Sequence, residues 1–159
     1  MIFSDTYKYN SVEVAKYIAA KANEEKFGIN MTKMQKLLYI VYGVYLRVYE
    51  TRLTNEHPQA WPYGPVFPTT RNKLLKIDLY DLNMNSVDDE IKSDKELCSV
   101  TDFVFAKFGT WNAGQLSEWS HRDASPWFYT TKMDGFKWGM QIPDELIYNY
   151  FKDLVSVNG

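Results

Sequence analysis

The sequence predicts a mainly α fold, a compact single-domain bundle around one central apolar helix, on three observations. Residues 32–51 are apolar around most of a helical circumference, the mark of a helix covered on every side. Pairs of the kind Ser/Thr/Asn-x-x-Glu/Gln recur just ahead of apolar residues at helical spacing, the signature of helix starts. Finally, 159 residues with 45% apolar content suffice to close one core without disulfides or metals. One domain over 1–159 follows.

The first helix is predicted from Asn10, with Glu13 as capping-box partner, to about Lys26, where Gly28 stops it. Its face is Val12, Ala15, Ile18, Ala19 and Ala22, of which the three alanines are small enough for a neighbouring helix to come close. Thr32 and Gln35 open the central helix, which runs to about Thr51. Gly43 in its middle costs about 1 kcal/mol against Ala, which predicts another backbone crossing there. Residues Gln59 to Pro68, QAWPYGPVFP, then form a rigid non-helical turn. Pro62 and Pro65 remove donors and push Trp61 and Gly64 out of the α region.

Pro68 suits a first helical turn, so Thr69 to Lys76 is predicted as a third helix. Asp78 to Lys92, rich in Asp and Asn, reads as a surface loop with at most a one-turn helix. Ser93 with Glu96 caps a helix that carries Leu97, Val100, Thr101, Val104 and Phe108 and ends at Gly109. Asn112 with Gln115 starts a short helix to about Ser120, and Pro143, Asp144 and Glu145 open a last one with Leu146, Ile147, Tyr150, Phe151 and Leu154 inward. Between these two, the 127–140 stretch allows a short β-hairpin.

The net charge is −2, from 18 basic and 20 acidic side chains with no basic run. Binding to duplex DNA needs clustered cations, so no nucleic-acid binding by this domain alone is expected. The longest uncharged apolar run, Leu37 to Leu46, falls well below the roughly 18 residues of a membrane span. The opening MIFSDTYKYN has no basic segment followed by a long apolar one, so no signal peptide is read there. With one cysteine, Cys98, the expected setting is a reducing cytoplasm. The 12 tyrosines favour a large protein-contact face.

Two histidines and one cysteine, without CxxC or HxxxH spacing, predict no metal site, and eight scattered glycines give no phosphate loop. No cofactor is expected. The best catalytic set on offer is Cys98, His121 and Asp123, a thiol, a base and an orienting group. Against it, Cys98 fits a helix core and His121 fits a cap on the last carbonyls of the preceding helix. Trp61, Tyr63, Trp127 and Trp138 suit either an aromatic contact surface or the packing of two loops on the bundle.

Three blocks carry a family resemblance: Met34, Gln35, Lys36, Leu37, Leu38 and Tyr39; Ala60 to Pro68, AWPYGPVFP; and Leu116, Ser117, Ser120, His121, Pro126 and Trp127. In this order the chain resembles the Panacea domain family, met as SocA-like antitoxins and phage-associated GepA proteins. The pattern departs at Met34, where an aliphatic residue is usual, and the Asp78 to Lys92 stretch has no clear counterpart. The resemblance implies a protein that binds and neutralises a cognate toxin from an adjacent gene, in one branch by delivering it to a ClpXP-type protease. It assigns Gln35, Lys36, Leu37, Tyr39, Trp61, Gly64, Pro65, His121 and Trp127 to the family scaffold, and the size of the Trp61 ring predicts that it anchors the core. Tyr63 and the acidic Asp88, Asp89 and Glu90 are left as exposed partner contacts. Two alternatives stay open: an enzyme using His121, and a DNA-binding autoregulator built on the Gly28–Met31 turn between two helices.

Overall fold

The computed structural model describes residues 3–155. Its hub is α2 (Met31–Tyr49), buried at every position from Lys33 to Leu46. A helix apolar nearly all round must be covered all round. Here the cover comes from α1 (Ser11–Glu24), α5 (Lys95–Phe108), α6 (Ala113–Ser120), α8 (Asp144–Tyr150) and α9 (Lys152–Val155). Gly43 gives room not to a crossing backbone, as expected, but to a ring: a Cβ there would run into the Phe151 side chain.

Helix starts follow capping chemistry with some changes of residue. Asn10 caps α1 through Val12 N at 2.9 Å, while Glu13 turns to Lys16. Asn30, not Thr32, caps α2 by accepting from Lys33 N at 2.8 Å, which releases Gln35 for another partner. Asp94 replaces Ser93 at the start of α5. The Asn112–Gln115 box forms reciprocally at α6.

Two small sheets flank the bundle. Strand β1 (Tyr7–Tyr9) pairs in parallel with β2 (Arg52–Thr54), and β3 (Gln59–Trp61) pairs antiparallel with β4 (Gly64–Val66) in the register Trp61↔Gly64. The hairpin therefore sits at the WPYGP turn and not at 127–140. That stretch begins with α7 (Pro126–Thr131), N-capped by Ser125 with Pro126 in its first turn. Its far end does extend the hairpin's edge, with Ala60 N donating to Met140 O and Gly139 N to Ala60 O, both at 2.8 Å.

After α3 (Pro68–Leu74), residues 78–92 depart from the expected free loop. Two 3₁₀ turns, Leu79–Asp81 and Met84–Ser86, and the one-turn α4 (Asp89–Lys92) lie against α1. Leu79, Leu82, Val87 and Ile91 are buried. Asn23 of α1 donates from Nδ2 to the carbonyls of Leu79 and Leu82 at 2.8 Å each. Four apolar residues at spacings of three to five bury one side of a polar segment, which composition alone hides.

Candidate protein-interaction site

The β3–β4 hairpin is clamped from three helices, and every clamp comes from the blocks singled out in the sequence. From α2, Gln35 makes a two-way pair with Phe67: Phe67 N donates to Oε1 at 2.7 Å and Nε2 donates to Phe67 O at 3.1 Å. The next residue, Lys36, donates from Nζ to Pro65 O at 2.8 Å. Ser117 Oγ of α6 donates to Tyr63 O at 2.8 Å, and Trp127 Nε1 of α7 to Trp61 O at 2.7 Å. Pro62 and Pro65 leave the turn short of donors, so its carbonyls need donors from elsewhere. Gly64 is required twice over: its φ is +116°, and a Cβ there would lie 2.5 Å from Ser120 Oγ and 3.2 Å from Lys36 Nζ.

Lys36 is only 3% exposed, and no carboxylate reaches it among the described residues. Burial pulls its ammonium down to about 8. Leu37 and Tyr39 lie in the core, and burial pushes the Tyr39 phenol up. Its hydroxyl and His121 Nδ1 are the buried side-chain atoms without a partner among the described residues. The expected capping by the His121 side chain does not occur. Its backbone N–H caps α6 by donating to Ser117 O, and its ring stands edge-on to Trp127 with centroids 5.3 Å apart.

Trp61 overturns the expectation of a buried anchor, being 40% exposed. The reason is the strand period of two: Ala60 points into the core and its neighbour points out. Phe67 does the anchoring, fully buried and edge-on to Tyr42 at 5.9 Å. Tyr63 at the tip is 79% exposed, and Trp138, stacked on Trp127 at 6.2 Å, is 54% exposed. Asp88, Asp89 and Glu90 are exposed on and beside α4. They stand on α1, whereas the hairpin rests on α2, α6 and α7, so the two candidate contacts are not brought together.

Cys98, His121 and Asp123 do not assemble. Cys98 Sγ accepts from Tyr17 OH at 3.3 Å and donates to Lys92 O at 3.4 Å, His121 packs on Trp127, and Asp123 is exposed. What the sequence did not reveal is a buried polar cluster at the start of α8. Asp144 accepts from Tyr42 OH at 2.7 Å and Arg52 Nε at 2.6 Å, and His57 Nε2 lies 3.5 Å away. Burial and the Asp144 charge push the Tyr42 phenol up. Tyr42, Arg52 and His57 come from neighbouring stretches of chain, but Asp144, which gathers them, lies far along it, so no local spacing announces the cluster. Among the described residues no group of His, Cys, Asp and Glu suits a metal ion, and no helix is long and apolar enough to cross a membrane.

Fold and hairpin define a class: a small helical domain in which three sequence blocks lock an aromatic turn at the surface. The chain belongs to the family described as Antitoxin SocA-like, Panacea domain, which matches residues 34–128. That span holds every clamp from Gln35 to Trp127. Among curated proteins, the Antitoxin SocA of Caulobacter vibrioides (strain NA1000 / CB15N) is 25% identical over 162 residues, covering 93% of this chain and 85% of that protein. No solved structure matches the chain. Membership of this family supports an antitoxin role.

Proposed function

We propose that this protein is an antitoxin that neutralises a cognate toxin by binding it directly, with the hairpin face as contact surface. The observation that carries the reading is Tyr63, 79% exposed at the tip of a turn held by hydrogen bonds from three helices. Ordering a loop on association costs free energy, and a turn ordered beforehand avoids that cost. Tyr and Trp dominate contact energetics, and Trp61 and Trp138 extend the same exposed aromatic surface. Asp88, Asp89 and Glu90 stand apart, so the proposal gives them an auxiliary contact at most.

The toxin is the partner that family membership favours, and an adjacent small gene is its proposed source. A non-enzymatic regulator fits the scattered Cys98, His121 and Asp123, and the single cysteine suits a reducing cytoplasm. Regulation by DNA binding is disfavoured by the net charge of −2. The helix after the Gly28–Met31 turn is moreover α2, buried from Lys33 to Leu46 and unable to enter a groove.

Co-expression with the neighbouring gene product tests the proposal. Rescue of growth and co-purification of a stoichiometric complex are expected. Rescue without a complex, with toxin levels that fall only while a ClpXP-type protease is present, replaces blocking by delivery. Failure of rescue with both proteins soluble refutes the antitoxin reading.

A further inference from the structure

We infer that a second contact site lies on the other side of α6, where an aromatic groove with Arg122 at its mouth receives a toxin segment presenting a carboxylate beside an apolar side chain. This rests on the reading of the protein as a direct binder of toxin. The groove encloses about 540 Å³ between α6, α7, α8 and α9, walled by Trp119, Tyr129, Leu146, Tyr150 and Leu154. Ser117 and Trp119, two apart on α6, project to different sides of the helix. One holds the hairpin and the other walls the groove.

Arg122 sets the chemistry of the occupant. Its Nε donates to Tyr150 OH at 2.7 Å, and its guanidinium lies over the Trp119 and Tyr150 rings, 5.1 and 5.7 Å from their centroids. The side chain is thus held in place, while its two terminal nitrogens have no acceptor among the described residues. Glu118 and Asp153 border the two grooves that meet at Arg122, yet among the described residues the hydrogen-bond partner of its guanidinium is Tyr150 and neither carboxylate pairs with it. Arg52, by contrast, is paired to Asp144 and Asp5. A fixed guanidinium with a free fork between apolar walls selects a planar carboxylate flanked by apolar groups. The two bordering carboxylates and the net charge of −2 oppose a polyanion such as nucleic acid.

A second observation concerns the turn that carries Arg122. Ala124 has φ +66°, in the left-handed region, with no side-chain group to offset it. In the same turn His121 Nδ1 is buried without a partner among the described residues. Both features are unfavourable, and such residues concentrate where a local geometry is used. Here the turn brings Arg122 and Pro126 to one groove.

Two arms test the inference. In the first, indole-3-propionate and tryptamine, one ring carrying either a carboxylate or an ammonium, are titrated into the full chain and followed by ¹H–¹⁵N shifts. The carboxylate probe is expected to move the Trp119 indole and Tyr150 amide signals, with at least about five-fold weaker binding for tryptamine and for Arg122→Gln. Equal binding of the two probes, or none at these signals, overturns the site. In the second, purified toxin is titrated against Arg122→Glu and Arg122→Gln proteins whose melting matches wild type. At least about ten-fold weaker binding is expected for Arg122→Glu, with Arg122→Gln intermediate. Unchanged toxin affinity in both variants overturns the inference, whereas a wild-type protein that binds no toxin overturns the direct-binding reading and leaves the probe arm to judge the groove. A wild-type dimer that Arg122→Glu dissociates assigns the groove to a second copy and also overturns the toxin assignment.

Discussion

Lys36 carries a charge into the core to serve one carbonyl, Pro65 O at 2.8 Å. Burial lowers its ammonium from 10.5 to about 8, so between those values the unfolded chain binds a proton that the folded chain does not. Stability must then rise with pH across that window, by about 3 kcal/mol for an isolated group. Tyr17, Tyr39 and Tyr42, whose phenols burial pushes up, ionise first in the unfolded chain and oppose the rise from about pH 10. Urea melts between pH 7.5 and 9.5 are therefore expected to show rising stability in the wild type and a shallower rise in Lys36→Met, where Lys33, its ammonium also lowered by burial, supplies what remains. Parallel profiles would exclude Lys36 as the source. The variant also strips Pro65 O of its donor, at about 1–3 kcal/mol, so the comparison lies in the slope and not in stability at one pH. The motif position of Lys36 was legible in the sequence. Its task was not, because the partner carbonyl lies 29 residues on.

At the scale of elements, helices were legible where a cap and an apolar face coincide, as at Asn10 and at the Asn112–Gln115 box. Strands of three residues were not, because so short a run offers too few alternations to show a period of two. The same limit misplaced the hairpin, although Ala60 inside and Trp61 outside are its alternation in miniature. Segment 78–92 misled through composition, its acidic and amide residues masking Leu79, Leu82, Val87 and Ile91. Asn23 is the bolt that holds it, one side-chain amide shared by the carbonyls of Leu79, Tyr80 and Leu82. Asn23→Ala leaves buried acceptors unpaired and is expected to cost about 1–3 kcal/mol locally. Hydrogen exchange checks this: amides of 79–92 should exchange faster in the variant while those of α2 keep their protection. Uniform loss of protection would mean that the segment unfolds only with the whole domain.

At the scale of the molecule, a rigid hub and an exposed tip divide labour, and substitutions around one turn separate the two. Gly64→Ala forces a Cβ to 2.5 Å from Ser120 Oγ at φ +116°, so it should lower stability by about 1–3 kcal/mol and weaken toxin rescue through the fold. Tyr63 is 79% exposed, so Tyr63→Ala should shift stability by no more than about 0.5 kcal/mol. If its ring meets the toxin, affinity falls about ten-fold or more. Trp61, 40% exposed, belongs with Tyr63 and not with Gly64, because its carbonyl holds Trp127 whatever the side chain. Trp61→Ala should therefore melt close to wild type and still lose rescue. Melting and growth rescue measured on all three proteins decide the matter. Loss of rescue with wild-type melting in Tyr63→Ala and Trp61→Ala, beside lowered melting in Gly64→Ala, places the toxin on the hairpin tip. Full rescue by both aromatic variants moves the contact off the hairpin and leaves the clamped turn a purely structural brace between α2, α6 and α7.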